Sequence, residues 1–172
     1  SDLKASLVEW VLRAKELGFQ AAKLEVTLSG PYNHSGLDES DDKVTETVAA
    51  CREAVGSDFT LMVDVQSAWP DADTALRTLR DWEALDIYFI ETPLPVYDLQ
   101  GMARLAAESP VAIASGEWLT TRPEFADLMD QGGVHVAQPD IGRVGGLTEA
   151  RSGGAQSELP SRCNLGFPLL PD

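Results

Sequence analysis

Four acidic residues, Asp64, Glu91, Glu117 and Asp140, stand at matching points of this chain. Each follows an apolar run and precedes a helical pattern. The intervals are short and regular: 27 residues from 64 to 91, 26 from 91 to 117, and 23 from 117 to 140. One acid in such a place serves equally well as a helix N-cap. Four in register are hard to explain that way. If the apolar runs are parallel strands, their C-terminal ends share a rim and the carboxylates point into one site. Clustered carboxylates repel, and coexist only with a cation or with protons. Hard oxygen ligands select Mg²⁺, with Mn²⁺ as the alternative. The chain has two histidines and no paired metal-type His spacing, which speaks against zinc.

Lys23 and Glu25 lie one strand earlier. Two positions apart on a strand, their side chains face the same way, here the barrel interior. A lysine there is costly unless carboxylates or ligands pair with it. It is either a structural ion pair with Glu25 or Asp64, or a cation that holds a substrate carboxylate or moves a proton.

The elements that must position these residues are legible from two alternating hydrophobic periods. Leu7, Val11, Ala14 and Leu17 recur at helical spacing, and Gly18 stops the run. Residues 21–26 form a strand. Residues 28–41 are rich in Gly, Pro, Ser and Asp and form a long loop. A helix starts near Ser40 or Asp41, with Val44, Val48, Cys51 and Val55 on one face, and ends at Gly56. Residues 59–65 (FTLMVDV) are continuously apolar before the acid, as in a strand buried on both faces. A helix over about 71–85, a strand over 87–91, a helix over 97–108 and a strand over 111–117 follow. Thr121 caps a helix with Pro123 in its first turn. The last strand spans 134–138, and another helix begins near Leu147.

Strands alternating with helices imply right-handed crossovers and a parallel sheet. The short repeat favours a TIM-type (β/α) barrel of about five strands, over a doubly wound sheet. Residues 1–150 carry this pattern. Residues 151–172 hold three prolines and three glycines without periodicity and form an irregular tail.

The chain has 172 residues, 44% of them hydrophobic, enough for one domain with a sizeable core. No apolar run reaches the roughly 20 residues of a membrane helix. The first residues, Ser1 to Lys4, show no basic segment followed by an apolar one, so no signal peptide is expected. The net charge of −15 disfavours nucleic acid and anionic membrane as partners. Cys51 and Cys163 are expected as free thiols in a reducing compartment, which places the chain in the cytoplasm.

Five motifs together resemble the enolase superfamily in its mandelate racemase/muconate lactonizing enzyme-like branch. They are Lys23-Leu24-Glu25, Val63-Asp64-Val65-Gln66, Ile90-Glu91-Thr92-Pro93, Gly116-Glu117-Trp118, and the run from Pro139 to Gly146. The resemblance covers residues 4–150 and implies a partial (β/α)8 barrel holding five of eight strands. It implies that Asp64, Glu91 and Glu117 bind one Mg²⁺, which chelates a substrate carboxylate. A base then removes the neighbouring proton, and the metal stabilises the enediolate. The implied catalytic residues are Lys23, Glu25 and Asp140. The implied partner is a small-molecule carboxylate, a sugar acid, and the full-length family is homo-oligomeric.

Two departures shape the expected activity. The family strand reads Lys-x-Lys, with the second Lys often a base; here that position is Glu25. Asp140 matches an Asp that pairs with a His on the following strand, whereas His34 and His135 both lie upstream. Dehydration of a sugar acid is therefore expected, with racemisation or epimerisation as the alternative. A truncated, non-catalytic barrel fragment that still binds metal is the contrasting reading. Among lesser candidates, His34 is read as an exposed loop residue and His135 as packing or hydrogen-bonding within its strand. Gln66, Trp69 and Trp118 lie near the rim. Arg143 falls where the family carries Lys or Arg, and is expected to support the metal acids. Gly142 to Gly146 lack a P-loop ending and read as turn glycines opening a helix.

Overall fold

The structure, a computed structural model, describes residues 3–26 and 40–150. The long loop with His34, and the tail with Cys163, lie outside the described residues. Helices and strands alternate in the expected order: α1 (Leu3–Glu16), β1 (Ala21–Glu25), α2 (Asp41–Val55), β2 (Thr60–Asp64), α3 (Ala72–Asp81), β3 (Ile87–Glu91), α4 (Leu99–Glu108), β4 (Ile113–Ser115), α5 (Arg122–Asp130) and β5 (Val136–Ala137). All five strands are parallel and lie in sequence order β1-β2-β3-β4-β5. The doubly wound alternative would reorder them, so the sheet is barrel-type. Among the described residues, none of the helices is long and apolar enough to cross a membrane.

Two apolar layers account for the strand patterns. One face of the sheet, carrying Leu24, Leu61, Val63, Ile90 and Ile113, packs against Val48, Leu79 and Leu105 of the helices. The other face packs Phe89, Ala114 and Val136 with Met62 and Ala112. Burial on both sides is why the runs around β2 and β3 are continuously apolar. Val44, Val48, Cys51 and Val55 are buried along α2 as their spacing requires. Burial pushes the Cys51 thiol up to about 11, so it stays protonated and inert at neutral pH.

Several boundaries move inward for local reasons. α1 ends at Glu16, and Leu17 beyond it is 60% exposed rather than part of the buried face. α3 stops at Asp81 and passes through Trp82 into a short 3₁₀ turn, Glu83–Leu85. Arg52 holds that turn from below. Its guanidinium donates to the carbonyls of Leu85 (2.8 Å), Asp86 (2.8 Å), Gly56 (2.8 Å) and Phe59 (2.6 Å). α4 starts at Leu99, because the Asp98 carboxylate accepts the Gly101 N–H and caps it there. α5 begins as expected, in a capping box between Thr121 and Glu124 with Pro in its first turn.

Arg52 satisfies four carbonyls at the entries to β2 and β3. Arg52→Met should therefore destabilise the chain by about 3 kcal/mol, since several acceptors lose a charged donor at once. A fall of about 6–12 °C in the thermal midpoint, measured by circular dichroism, checks this.

Candidate metal centre

Parallel register carries the acids to one rim. Glu25 pairs with Asp64 across β1 and β2, and Asp64 with Glu91 across β2 and β3. Residues in register on neighbouring strands share a face. Glu117 reaches the same place by a different route. β4 ends at Ser115, and Gly116 takes φ +119°. A Cβ on Gly116 would stand 2.8 Å from the Phe125 ring, so only glycine fits this turn. The turn delivers Glu117 to the other two acids. One carboxylate oxygen from each of Asp64, Glu91 and Glu117 lies within 4.8 Å of the others.

Asp64 and Glu91 are buried, and Glu117 is partly so. The Asp64 Oδ1 accepts the Gln66 N–H (3.0 Å), and the Glu117 Oε1 accepts the Thr92 hydroxyl (3.3 Å). Lys23 donates from Nζ to the Glu91 carboxylate and sits 3.8 Å from Asp64 Oδ2. Burial, and then the Glu91 charge, push the Asp64 carboxyl up to about 7. Burial and Glu91 also raise Glu117. Burial works against the Lys23 charge, but the hydrogen bond to Glu91 and the three carboxylate charges outweigh it, so its pKa lies above the usual lysine value.

One ammonium therefore does not balance three carboxylates: Asp64 and Glu117 are both raised from their ordinary values with Lys23 in place. A compact all-oxygen donor set that is short of positive charge suits a small hard dication, and Mg²⁺ fits these residues. When bound, such an ion polarises a coordinated substrate carboxylate as a Lewis acid.

The remaining residues divide. Glu25 is exposed, and its Oε1 accepts from Gln66 Nε2 (2.9 Å). Asp140 does not join the three acids. It is exposed, and its Oδ1 accepts the N–H groups of Gly142 (2.7 Å) and Arg143 (3.3 Å), closing the turn after β5. Arg143 does not support the metal acids either. Its guanidinium lies 4.1 Å over the Trp118 ring and 3.8 Å from Asp140 Oδ2. A planar cation stacks well on an indole face, and this contact holds it at the rim. His135 bonds within the sheet as read, accepting the Ile113 N–H at Nδ1 (3.0 Å). Trp69 is buried and donates from Nε1 to Asp41 Oδ1 (3.1 Å), a packing role. Thr92 was not singled out in the sequence. Its place between a strand-end acid and a proline was the only signal.

The fold and this acid cluster together define a class, and comparison with known families names it. The enolase C-terminal domain-like family model matches residues 6–158, and the chain belongs to that family. Among characterised relatives, an L-talarate/galactarate dehydratase of Salmonella typhimurium is 33% identical across 81% of this chain and 43% of its own length. A 3,6-anhydro-α-L-galactonate cycloisomerase of Streptomyces coelicolor is 36% identical across 82% of this chain and 36% of its own. Among solved structures, a racemase from Streptomyces coelicolor with bound magnesium superposes with a TM-score of 0.78 at 33% identity, covering 90% of this chain and 43% of that one. The chain thus spans less than half the length of these relatives.

Neutralising one acid separates stability from metal binding. Asp64→Asn keeps the oxygen that accepts the Gln66 N–H but removes a charge that folding penalises at neutral pH. The metal-free variant should gain on the order of 2 kcal/mol, because the carboxyl it loses is held well above its ordinary value. Its thermal midpoint should rise by about 4–8 °C, and added Mg²⁺ should raise the midpoint of the parent but not of the variant.

Proposed function

We propose that this chain is the metal-binding part of a Mg²⁺-dependent acid-sugar dehydratase, a lyase that removes the proton α to a carboxylate and expels a β-hydroxyl. The observation that carries the reading is the convergence of Asp64, Glu91 and Glu117 within 4.8 Å, with Lys23 bonded to Glu91 and paired with Asp64. The sugar-acid substrate class is taken from the dehydratase and cycloisomerase among its relatives.

In this reading the chain's own residues divide the work. Asp64, Glu91 and Glu117 hold the dication. Lys23 places its ammonium where negative charge develops on the substrate carboxylate as the α-proton leaves. Glu25 stands on the same strand face two residues on, oriented by Gln66, and faces the substrate as a proton acceptor or donor. Asp140 holds the turn at the rim and orients the acid–base partner supplied elsewhere in a complete site. A racemase or epimerase would use the same proton abstraction with return of the proton. Glu25, where the family carries a second lysine, favours dehydration.

Metal binding without turnover by this chain alone is a second reading, favoured by the Asp140 carboxylate, whose contacts are with Gly142 and Arg143 of its own turn and not with an acid–base partner. One experiment separates the two. The purified chain with Mg²⁺ is incubated with a panel of aldonic and aldaric acids, and 2-keto acid is measured as its semicarbazone. Dehydration predicts keto acid from at least one substrate, and a loss of about 10³-fold or more in Lys23→Met, which removes the charge at the developing oxyanion. No keto acid from any substrate, together with a Mg²⁺-dependent rise in the thermal midpoint, supports binding without turnover. Absence of both sinks the metal reading.

A further inference from the structure

Three of the four described non-glycine residues with positive φ stand just beyond metal-ligand strands: Gln66 (+45°), Ser67 (+61°) and Thr92 (+44°). Thr92 is the most constrained. It is β-branched, and such a residue at positive φ is a backbone outlier. It precedes Pro93, which itself restricts the preceding residue to extended conformations. It is fully buried. Glycine or asparagine would take this conformation with less strain, so the surroundings must over-determine it.

The surroundings are the three ligand-bearing strand ends. The Thr92 N–H donates to Ala114 O on β4 (2.8 Å), two residues before the Gly116 turn. The Thr92 carbonyl accepts the Ser67 N–H (2.6 Å) from the turn after β2. That same turn supplies the Gln66 N–H to the Asp64 carboxylate. The Thr92 side chain, directed by the unusual φ, donates its hydroxyl to Glu117 Oε1. One residue after Glu91 thus touches the elements carrying both other acids.

We propose that Thr92 is a positioning residue for the metal centre, its hydroxyl fixing the rotation of the Glu117 carboxylate so that the three acids present one rigid geometry. This rests on the metal-binding reading of Asp64, Glu91 and Glu117. Rigidity has a specific consequence. Mg²⁺ demands near-ideal octahedral geometry and tolerates little ligand movement, whereas Ca²⁺ accepts loose, variable coordination. Removing the Thr92 hydroxyl should therefore weaken Mg²⁺ more than Ca²⁺, which a general loss of packing would not do.

The test measures dissociation constants of Mg²⁺ and Ca²⁺ by calorimetry for the parent chain, Thr92→Val and Thr92→Ser. Valine keeps the β-branched shape without the hydroxyl; serine keeps the hydroxyl without the methyl. Thr92→Val should weaken Mg²⁺ by about tenfold or more, as loss of a group supporting a ligand does. Its loss for Ca²⁺ should be smaller, so the Mg²⁺/Ca²⁺ preference falls. Thr92→Ser should stay near the parent in both. Equal Mg²⁺ affinity in Thr92→Val and the parent overturns the proposal alone. Equal impairment of both variants also overturns it, because keeping the hydroxyl in Thr92→Ser would then not preserve Mg²⁺ affinity. A parent chain that binds no Mg²⁺ overturns the metal-binding reading and this proposal with it.

Discussion

Three carboxylates brought within 4.8 Å of one another at a partly buried rim repel each other, and the folded chain must carry that repulsion. Nothing in the core demands this arrangement. Asp64 and Glu91 end strands whose preceding residues are largely apolar, and neither acid belongs to the apolar layers. The acids are held together by backbone geometry and offset in part by Lys23. The rest of the site follows from that unbalanced charge: Lys23 bent onto Glu91, Asp64 held near neutrality, and a donor set suited to a dication.

The two ends of the sheet are built for different purposes. At the N-terminal ends of β2 and β3, Arg52 gathers the carbonyls of Gly56, Phe59, Leu85 and Asp86, so turns that would leave acceptors unpaired are satisfied by one cation. At the C-terminal ends, the backbone adopts conformations that cost energy. Gly116 turns at a place no side chain could occupy, and Gln66, Ser67 and Thr92 sit in the left-handed region. Satisfied carbonyls at one end and most of the left-handed turns at the other match the division of a (β/α) barrel into a stabilising face and a functional face. The cross-strand bonds of Thr92 link these strained turns, so the acids are positioned as a unit.

Much of the fold was legible because it rests on patterns read along the chain. Helical spacing in α2, continuous apolar runs in β2 and β3, and the Thr121–Pro123 start of α5 are local features, and the structure keeps each. Boundaries were less legible where a distant residue decided them. Residues 82–85 continue a helical pattern, yet Arg52, thirty-three positions away from Leu85, draws that segment into a 3₁₀ turn.

The same division holds at the site. The sequence alone determined that acids recur at strand ends, and that Lys23 and Glu25 share a strand face, because both follow from residue type and period. Residue type and period left four acids in register; the family resemblance singled out three of them, and the tertiary structure supplies the contacts that bring those three together. Asp64, Glu91 and Glu117 converge, whereas Asp140, with the same local signature, finds Gly142 and Arg143 closer and closes a turn. Arg143 is likewise taken by the Trp118 ring. Thr92 had no sequence signal beyond its neighbours, since its role arises from a backbone angle and from partners on two other strands. A carboxylate's position along the chain is a one-dimensional fact. Its partner is set by a competition of distances that exists only once the strands lie side by side.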